Sequence, residues 1–457
     1  MSKFIHASWS SKLAFVLATT GAAVGLGNLW GFPFLAGENG GAAFVLIYLV
    51  CVAVIAIPII IAEIAIGRMG RLSPVGTLDA VIKAQKASNF WKAIGYLSLA
   101  VPFIGFTFYS VVAGWALNYT IRSATGTLGG LTPGTSGDLF GTYTADPLLS
   151  IGLQGLVILA TAYVVGRGLR RGIELATKIM MPGLFLILVG MIIYGMVAAD
   201  FAGAFKFLFA PDFSGVTTKT FMVALGQAFF SIGVGVGFMI TYGAYLPKAA
   251  DIPKSAATIA GIDTLVAICA GLAIFPIVFA AGLNPGEGPG LVFITMPVAF
   301  GVMPLGQLVG TFFFLLLFVA AFTSTLGMLE PIVSTMEEKW QDKSRFVLAF
   351  GAAMVIWAVG LAPALSASVL SDVRPLSFIP ALADRDVFTS FYFLTLVIML
   401  PLNGFLIALF AGWVIKKSDF KKQLGFKSDW LFNGWHLLLK FLAPLAVLAI
   451  TYFGLIG

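Results

Sequence analysis

The sequence predicts an all-α membrane protein that crosses the bilayer many times, and its composition and apolar stretches carry that prediction. Of the 457 residues, 59% are hydrophobic and 10% are charged, whereas soluble domains carry roughly 25% charge. Apolar stretches of about 20 residues, enough for a helix to span a bilayer, recur along the chain. They predict about eleven transmembrane helices, at residues 12–36, 41–67, 91–123, 148–166, 172–199, 217–246, 256–283, 303–338, 345–361, 386–415 and 433–456.

The positions of lysine and arginine predict how these helices are oriented. Basic residues occur in the amino-terminal tail and in alternate loops, whereas the loops at 125–147 and 284–301 contain neither Lys nor Arg. Because cytoplasmic loops are enriched in these residues, we expect a cell (plasma) membrane protein with a cytoplasmic amino terminus. An odd number of helices then places the carboxyl terminus outside. The net charge of +7 reflects this topology, and no nucleic-acid partner is expected.

The chain is predicted to be one membrane transporter domain, residues 1–457, with an internal repeat. Residues 12–199 and 217–415 would each hold five helices, and residues 433–456 would form an additional one. With five helices per half, the second half enters the membrane from the opposite side, which makes the repeat inverted. The Pro- and Gly-containing stretch 284–301 is expected to be an external loop that folds over the site.

Two glycine-rich stretches interrupt the first predicted helix of each half, at residues 21–28 and 231–237. Broken helices at matching positions in two halves indicate the central site of a transporter. Carbonyls freed by such a break can coordinate cations if they face a protein-lined cavity. The free N–H groups at Leu26 and Gly27 would suit a carboxylate. A zwitterionic amino acid is therefore the expected ligand.

Ionisable side chains are rare inside the predicted helices. Placing a charged side chain in a bilayer costs free energy, so each of them is treated as functional by default. They are Glu63, Asp263 and Glu330, although Glu63 could instead lie near the cytoplasmic interface. Hard cations such as sodium need several oxygen ligands. The hydroxyls of Thr323 and Ser324 could supply two, or could bond back to their own helical turn.

An ion channel and a membrane-embedded enzyme are the rival functions. A channel would need a continuous pore lined by rings of charge or by carbonyls. The only histidines, His6 and His436, lie near the ends of predicted helices, and no His/Cys/Asp cluster offers a nucleophile or metal site. The protein is therefore not expected to be an enzyme.

The first glycine-rich stretch belongs to a longer motif that resembles a known family. Gly-Ala-Ala-Val-Gly-Leu-Gly-Asn-Leu-Trp at 21–30, with Phe32-Pro33 and residues 38–41, resembles the first-helix signature of the neurotransmitter:sodium symporter family. The resemblance covers essentially the whole chain and implies the leucine-transporter-like fold of the shorter bacterial amino-acid transporters. Its further matches are residues 226–231 and 241–245 in the sixth helix and Thr323-Ser324 in the eighth.

The resemblance implies two co-transported sodium ions. The first would be bound by the Ala23 carbonyl, Asn28, Ser231, Asp263 and the substrate carboxylate. The second would be bound by the carbonyls of Gly21, Val24 and Ala320 and by the hydroxyls of Thr323 and Ser324.

The resemblance also implies an amino-acid pocket. Tyr109 would hydrogen-bond the substrate carboxylate, and Phe230 would close over the substrate as a lid. Gly105 and Gly233 are expected to leave room for a large aliphatic or aromatic side chain, with another small zwitterion or an amine as the alternative. The substrate-binding residues would be Ala23, Leu26, Gly27, Gly105, Tyr109, Phe230, Ser231, Gly233, Val236, Ser324 and Met328.

Two positions depart from the family pattern at the gates. The Arg that usually follows the first-helix Trp is Gly31, which leaves Asp386 without its usual gate partner. At the cytoplasmic gate, His6 stands in place of the usual Arg, with Lys3 nearby and Glu338 as the acidic partner.

Two further motifs bear on mechanism. In chloride-dependent members, the positions of Asp263 and Ala267 are Asn and Ser, so a fixed carboxylate is expected to replace chloride here and to exchange a proton on the return step. The spacing from Gly172 to Pro182 resembles a fifth-helix pattern associated with local unwinding, or Pro182 simply kinks the helix.

Overall fold

The computed structural model describes residues 7–286, 290–426 and 428–456, and these residues form helices and no β-strand. Nine of the helices are long and apolar enough to cross a membrane. We number them together with two broken helices, α1 and α6, in chain order. The nine are α2 (Ala42–Gly70), α3 (Asn89–Ala124), α4 (Pro147–Gly166), α5 (Leu169–Ala198), α7 (Ile252–Ala280), α8 (Gly306–Lys339), α9 (Arg345–Ala364), α10 (Val387–Val414) and α11 (Asp429–Leu455).

Helix α1 is broken as predicted, into Lys12–Ala23 and Gly27–Glu38, which meet at 54°. At the break, backbone N–H groups donate to side chains and not to the carbonyls that they would reach in a continuous helix. The Gly25 N–H donates to Asn28 Oδ1 at 3.1 Å, and the Leu26 N–H donates to the Tyr109 hydroxyl at 2.9 Å. The carbonyls of Gly21 and Ala22, which these N–H groups would bond in a regular helix, are thereby freed.

Helix α6 consists of Thr218–Ile232 and Phe238–Ala244, each too short to cross a bilayer alone. Between them, Gly233, Gly235 and Gly237 all have positive φ, at 72°, 82° and 102°. This left-handed conformation is one that glycine adopts without steric cost. The break is therefore encoded by its three glycines.

Neighbouring helices hold the α6 break in place. Glu63 of α2 accepts the Gly235 N–H at 3.1 Å, and Asn403 of α10 donates to the Gly235 carbonyl at 2.7 Å. Both side chains are fully buried. Glu63 therefore supports the broken backbone from inside the protein rather than facing the cytoplasmic interface.

The broken helices pack inside a frame of longer ones. Helices α3 and α8 lie along each other, the first half of α1 packs on α5 and α8, and the second half of α6 packs on α2. Helix α5 is helical through Pro182, so the Gly172–Pro182 segment is wound in this conformation. The stretch 284–301, predicted to be an external loop, is largely occupied by the helix Leu291–Val302, and Glu287, Gly288 and Pro289 of that stretch lie outside the described residues.

Candidate functional site

The breaks in α1 and α6 face each other in the protein interior. Gln227 of α6 donates to the Gly27 carbonyl at 2.6 Å, and Asn28 Nδ2 donates to Ser231 Oγ at 3.3 Å. A Cβ at Gly27 would lie 3.2 Å from Ser231 Cα, so glycine permits this close approach. The two sets of freed backbone groups therefore border one region.

Asn28, Ser231 and Asp263, predicted for the first sodium ion, converge in that region. Ser231 Oγ donates to Asp263 Oδ2 at 2.6 Å, and Asn28 Nδ2 donates to the Asp263 carbonyl at 3.0 Å. The other carboxylate oxygen, Asp263 Oδ1, is buried without a hydrogen-bond partner among the described residues. Buried carboxylate oxygens are normally paired or bind a cation, so this oxygen-rich cluster fits a hard monovalent cation.

Four of the five residues predicted for the second ion also lie together. Ser324 Oγ reaches the Val24 carbonyl at 3.3 Å and the Ala320 carbonyl at 3.2 Å, and Thr323 Oγ1 donates to the Ala320 carbonyl at 3.0 Å. Both hydroxyls thus bond back to α8, and Ser324 also joins α8 to the broken end of α1. The fifth residue, Gly21, packs against α5, where a Cβ would lie 3.1 Å from Met181 Sδ.

A small cavity of about 50 Å³ lies between these clusters. Nine of the predicted substrate-binding residues line it: Ala23, Gly27, Gly105, Tyr109, Phe230, Gly233, Val236, Ser324 and Met328. Leu26 and Ser231 do not line it, because Leu26 contributes its N–H to Tyr109 and Ser231 faces Asp263. The prediction missed Ala22, Gly25, Val101, Pro102, Phe108, Phe238, Thr395, Leu396 and Leu400.

Some of the missed residues carried a usable signal. Val101, Pro102 and Phe108 stand at helical spacing from Gly105 on one face of α3, so the helix period could have placed them. The α10 residues, such as Thr395, had no such signal, because only the tertiary fold brings that helix to the cavity.

Tyr109 connects the polar end of the cavity to the α1 break. A Cβ at Gly25 would lie 2.3 Å from the Tyr109 hydroxyl oxygen and 2.5 Å from Ser324 Oγ, so glycine lets both side chains reach the freed backbone. The Tyr109 hydroxyl accepts the Leu26 N–H. The hydroxyl also lies within hydrogen-bonding reach of Ser324. Its own proton can be donated to a further acceptor, and a carboxylate is a suitable one.

A larger outer cavity of about 230 Å³ adjoins the inner one. Phe108, Tyr109 and Phe230 border both cavities, so their rings lie between them. Trp30 and Gly31 line only the outer cavity. The ring of Phe230 is therefore placed where a movable lid would separate the two.

The resemblance implies an external gate in which Asp386 would need a partner at position 31. Gly31 has no side chain to pair with Asp386, which instead caps α10. Asp386 Oδ1 accepts the Thr389 N–H at 2.7 Å and the Thr389 hydroxyl at 2.6 Å.

Two side-chain contacts hold the end of the bundle that the sequence predicts to be cytoplasmic. Glu330 accepts the Tyr245 hydroxyl at 2.7 Å and pairs with Arg345 of α9, a partner that the sequence analysis missed. Glu338 accepts the Ser73 N–H at 2.5 Å and the Ser73 hydroxyl at 2.6 Å. Its predicted partners, His6 and Lys3, lie outside the described residues.

Comparison with known proteins identifies the family. The model of the sodium:neurotransmitter symporter family matches residues 6–132 and 149–457. The chain belongs to this family. It is therefore a sodium-dependent transporter of the membrane and not an enzyme.

Relatives of this symporter align along its whole length. The uncharacterized sodium-dependent transporter YhdH of Bacillus subtilis is 36% identical over 460 residues, covering 100% of this chain and 99% of YhdH. An uncharacterized sodium-dependent transporter of Haemophilus influenzae is 32% identical and covers 97% of each chain. The crystal structure of MhsT in complex with L-phenylalanine is 39% identical, has a TM-score of 0.86 and covers 98% of this chain and 99% of MhsT. The all-α transporter fold predicted from the sequence is confirmed.

Proposed function

We propose that this symporter couples sodium entry to the uptake of a hydrophobic amino acid with a large aliphatic or aromatic side chain, by alternating access. The proposal rests on how polar and apolar groups are distributed around the inner cavity. Freed backbone groups, the Tyr109 hydroxyl and Ser324 gather at the α1 break, and Val236, Met328 and Leu400 supply apolar walls. The first set suits a zwitterion, and the second suits an uncharged, apolar side chain.

The proposed size of the substrate depends on the space that Gly105 and the outer cavity provide. The inner cavity alone, at about 50 Å³, holds a few water molecules, so a large ligand requires the bordering rings to move. Phe108 and Phe230 separate it from the roomier outer cavity, and their displacement would join the two. MhsT, which was crystallised with L-phenylalanine, is similar over its whole length and supports the same substrate class.

We assign two sodium ions to the two oxygen clusters. Asp263 would neutralise part of their charge, so that transport needs no chloride. When sodium leaves, the same carboxylate would be buried without a counter-ion, which is costly, and a proton would take the place of the cation. The protein would therefore move protons in the opposite direction on its return step.

For the membrane orientation, we propose a cell membrane location with a cytoplasmic amino terminus and an external carboxyl terminus. A carboxyl-terminal epitope tag should then react with antibody on intact spheroplasts, and an amino-terminal tag only after permeabilisation. The reverse result would refute this orientation.

Counterflow in proteoliposomes tests the substrate and the ion together. Vesicles loaded with unlabelled glycine, alanine, leucine, phenylalanine, tyrosine or tryptophan should accumulate the matching radiolabelled amino acid in sodium, and poorly in lithium or potassium. The large amino acids should be favoured. A clear preference for glycine or alanine, or for an amine without a carboxylate, would refute the proposed substrate class.

A further inference from the structure

A basic cavity lies at the carboxyl end of α2, where α2 meets the α6–α7 connection and the short helix Lys417–Leu424. It has a volume of about 680 Å³. Four cationic side chains, those of Arg68, Arg71, Lys248 and Lys422, line it against one carboxylate, Asp251. Four positive charges against one negative charge leave an excess of three.

Arg68 is the buried centre of this basic cavity, with only 6% of its surface exposed. Its guanidinium donates to the Ala250 carbonyl at 2.5 Å, to Gln423 Oε1 at 3.2 Å and to the Gln423 carbonyl. These acceptors are neutral. Arg68 therefore joins three chain segments through neutral acceptors and forms no ion pair with another described residue, although Asp251 of the same cavity acts on its charge from a distance. An incoming anion would give it a charged partner.

The remaining charges of the basic cavity are also unmatched. None of its four cations is in an ion pair with another described residue, whereas the adjacent Lys421 pairs with Asp429 at 2.6 Å. Asp251 uses Oδ1 to cap α7, accepting the Lys254 N–H at 2.9 Å. The amino terminus of α7, a helix of 29 residues, adds partial positive charge at the same place.

We propose that the basic cavity binds the phosphate head group of an anionic membrane lipid. Clusters of Lys and Arg beside transmembrane helices attract such head groups, with roughly 1 kcal/mol from each cation. The cavity lies where α2 ends and α7 begins, and in the predicted topology it faces the cytoplasmic leaflet.

The surface beside the basic cavity favours a lipid over a soluble phosphate. Thr258, Gly261 and Leu265 form an exposed face that runs along α7 away from the cavity. A Cβ at Gly261 would meet nothing within 4 Å, and Leu265 is 54% exposed. This exposed face, with Gly261 and Leu265 on it, offers a place for an acyl chain once the head group is bound.

The test uses the purified full-length protein in detergent with phosphatidylglycerol, phosphatidylcholine or inorganic phosphate. Native mass spectrometry counts bound lipid, and tryptophan fluorescence follows the melting temperature. Lys248→Gln with Lys422→Gln removes two cavity cations whose side chains make no hydrogen bond to another described residue. The matched control, Lys339→Gln with Lys343→Gln, removes two exposed cations from the α8–α9 connection on the same face of the membrane.

Phosphatidylglycerol should bind the wild type and the control alike and raise their melting temperatures, and it should bind the cavity variant about thirtyfold more weakly. Equal binding of phosphatidylcholine, or equal losses in both double variants, would overturn the proposal. An equal melting shift with inorganic phosphate alone would show a site for soluble anions and overturn the lipid assignment. If the cavity variant does not fold, comparing the three ligands on the wild type decides whether the protein prefers the anionic lipid.

Discussion

Gly105 and Gly233 both border the inner cavity without a side chain, but for different physical reasons. A Cβ at Gly105 would meet only Thr395 Cγ2, at 3.6 Å, which is ordinary contact. Gly233 has a φ of 72°, and a Cβ there would lie 2.7 Å from Phe238 Cε1. The sequence analysis expected both glycines to leave room for the substrate. A larger side chain would fit at Gly105, whereas the helix break itself requires glycine at position 233.

Gly105→Val should therefore shift the binding preference toward smaller amino acids. The added methyl groups extend into the cavity, and overpacking of this kind costs about 1–3 kcal/mol, or roughly 5- to 150-fold in relative affinity for phenylalanine over alanine. Competition against a bound radiolabelled amino acid measures the change. Gly152→Val, at an exposed position of α4 with nothing within 4 Å of a Cβ, is the control. An unchanged order of affinities would show that Gly105 does not limit the substrate.

Thr323→Ala combined with Ser324→Ala should sharply raise the sodium concentration needed for half-maximal uptake. Removing hydrogen-bonding groups that serve a charge costs about 1.5–3 kcal/mol each, so an increase of at least about tenfold is expected. Sodium titration of uptake measures it. Thr311→Ala removes an exposed hydroxyl that also bonds back to α8 and should change nothing. Normal uptake by the double variant at low sodium would mean that the two hydroxyls serve only their own helix.

At the residue scale, local motifs picked out residues that the fold brings together wherever a break in the backbone marks their position. The glycine-rich stretches place freed backbone groups, and Asn28, Ser231 and Asp263 do converge beside them. The Glu330–Arg345 pair was not predictable, because α8 and α9 must first fold together before these side chains meet.

At the element scale, the α6 break combines two requirements that only glycine meets. Gly237 has a φ of 102°, and a Cβ there would lie 2.4 Å from the Ser98 carbonyl oxygen of α3. Gly282 has a φ of 66° but nothing within 4 Å of its Cβ position. Comparing substitutions at Gly237 and Gly282 therefore separates the cost of backbone strain from the cost of a clash with a neighbouring helix.

Gly237→Ala should lower the melting temperature of the purified protein more than Gly282→Ala does. Both changes force a side chain into the left-handed region, at about 1–2 kcal/mol, but only Gly237→Ala also pushes α6 away from α3. Uptake should fall for Gly237→Ala and persist for Gly282→Ala. Equal melting temperatures would show that α6 can shift without disturbing its neighbours.

The element boundaries show what hydropathy can and cannot locate. Helices α4 and α10 were predicted to within a residue, at 148–166 against Pro147–Gly166 and at 386–415 against Val387–Val414, and the other continuous helices were missed by two to four residues at one end or both. The start of α7 was missed by four residues, because Asp251 caps the helix and Pro253 follows in its first turn, so the helix begins before the apolar stretch does. Such caps act through hydrogen bonds, which apolar patterning does not report.

At the scale of the whole molecule, the number and order of helices followed from the apolar stretches, and their packing did not. Within the described residues, the nine continuous helices and the two broken helices α1 and α6 correspond to the eleven predicted stretches. The approach of α10 to the cavity and of Lys417–Leu424 to the end of α2 depends on contacts between residues far apart in sequence. Single-sequence periodicity contains no information on such contacts.

The balance of charge across the transport cycle also belongs to the whole molecule. Asp263 is buried within the oxygen cluster that it forms with Asn28 and Ser231. Ala267, one turn further along α7, is also buried, and its side chain cannot donate a hydrogen bond to an anion. The family resemblance implies Asn and Ser at these positions in chloride-dependent members. A fixed carboxylate can supply the negative charge that those proteins take from chloride.

Asp263→Asn should therefore reduce sodium-driven uptake in chloride-free buffer by at least about tenfold, because a cation site would lose its charged partner. Asp263→Asn with Ala267→Ser should recover activity when chloride is added, and Ala267→Ser alone should stay independent of chloride. In wild-type vesicles, a pH-sensitive dye trapped in the lumen should report alkalinisation during uptake, because protons leave the lumen on the return step. The Asp263→Asn variant should not give that signal. Full chloride-free activity of Asp263→Asn would exclude Asp263 as the charge-balancing group and direct the same experiment to Glu63, whose Oε2 is also buried without a partner among the described residues.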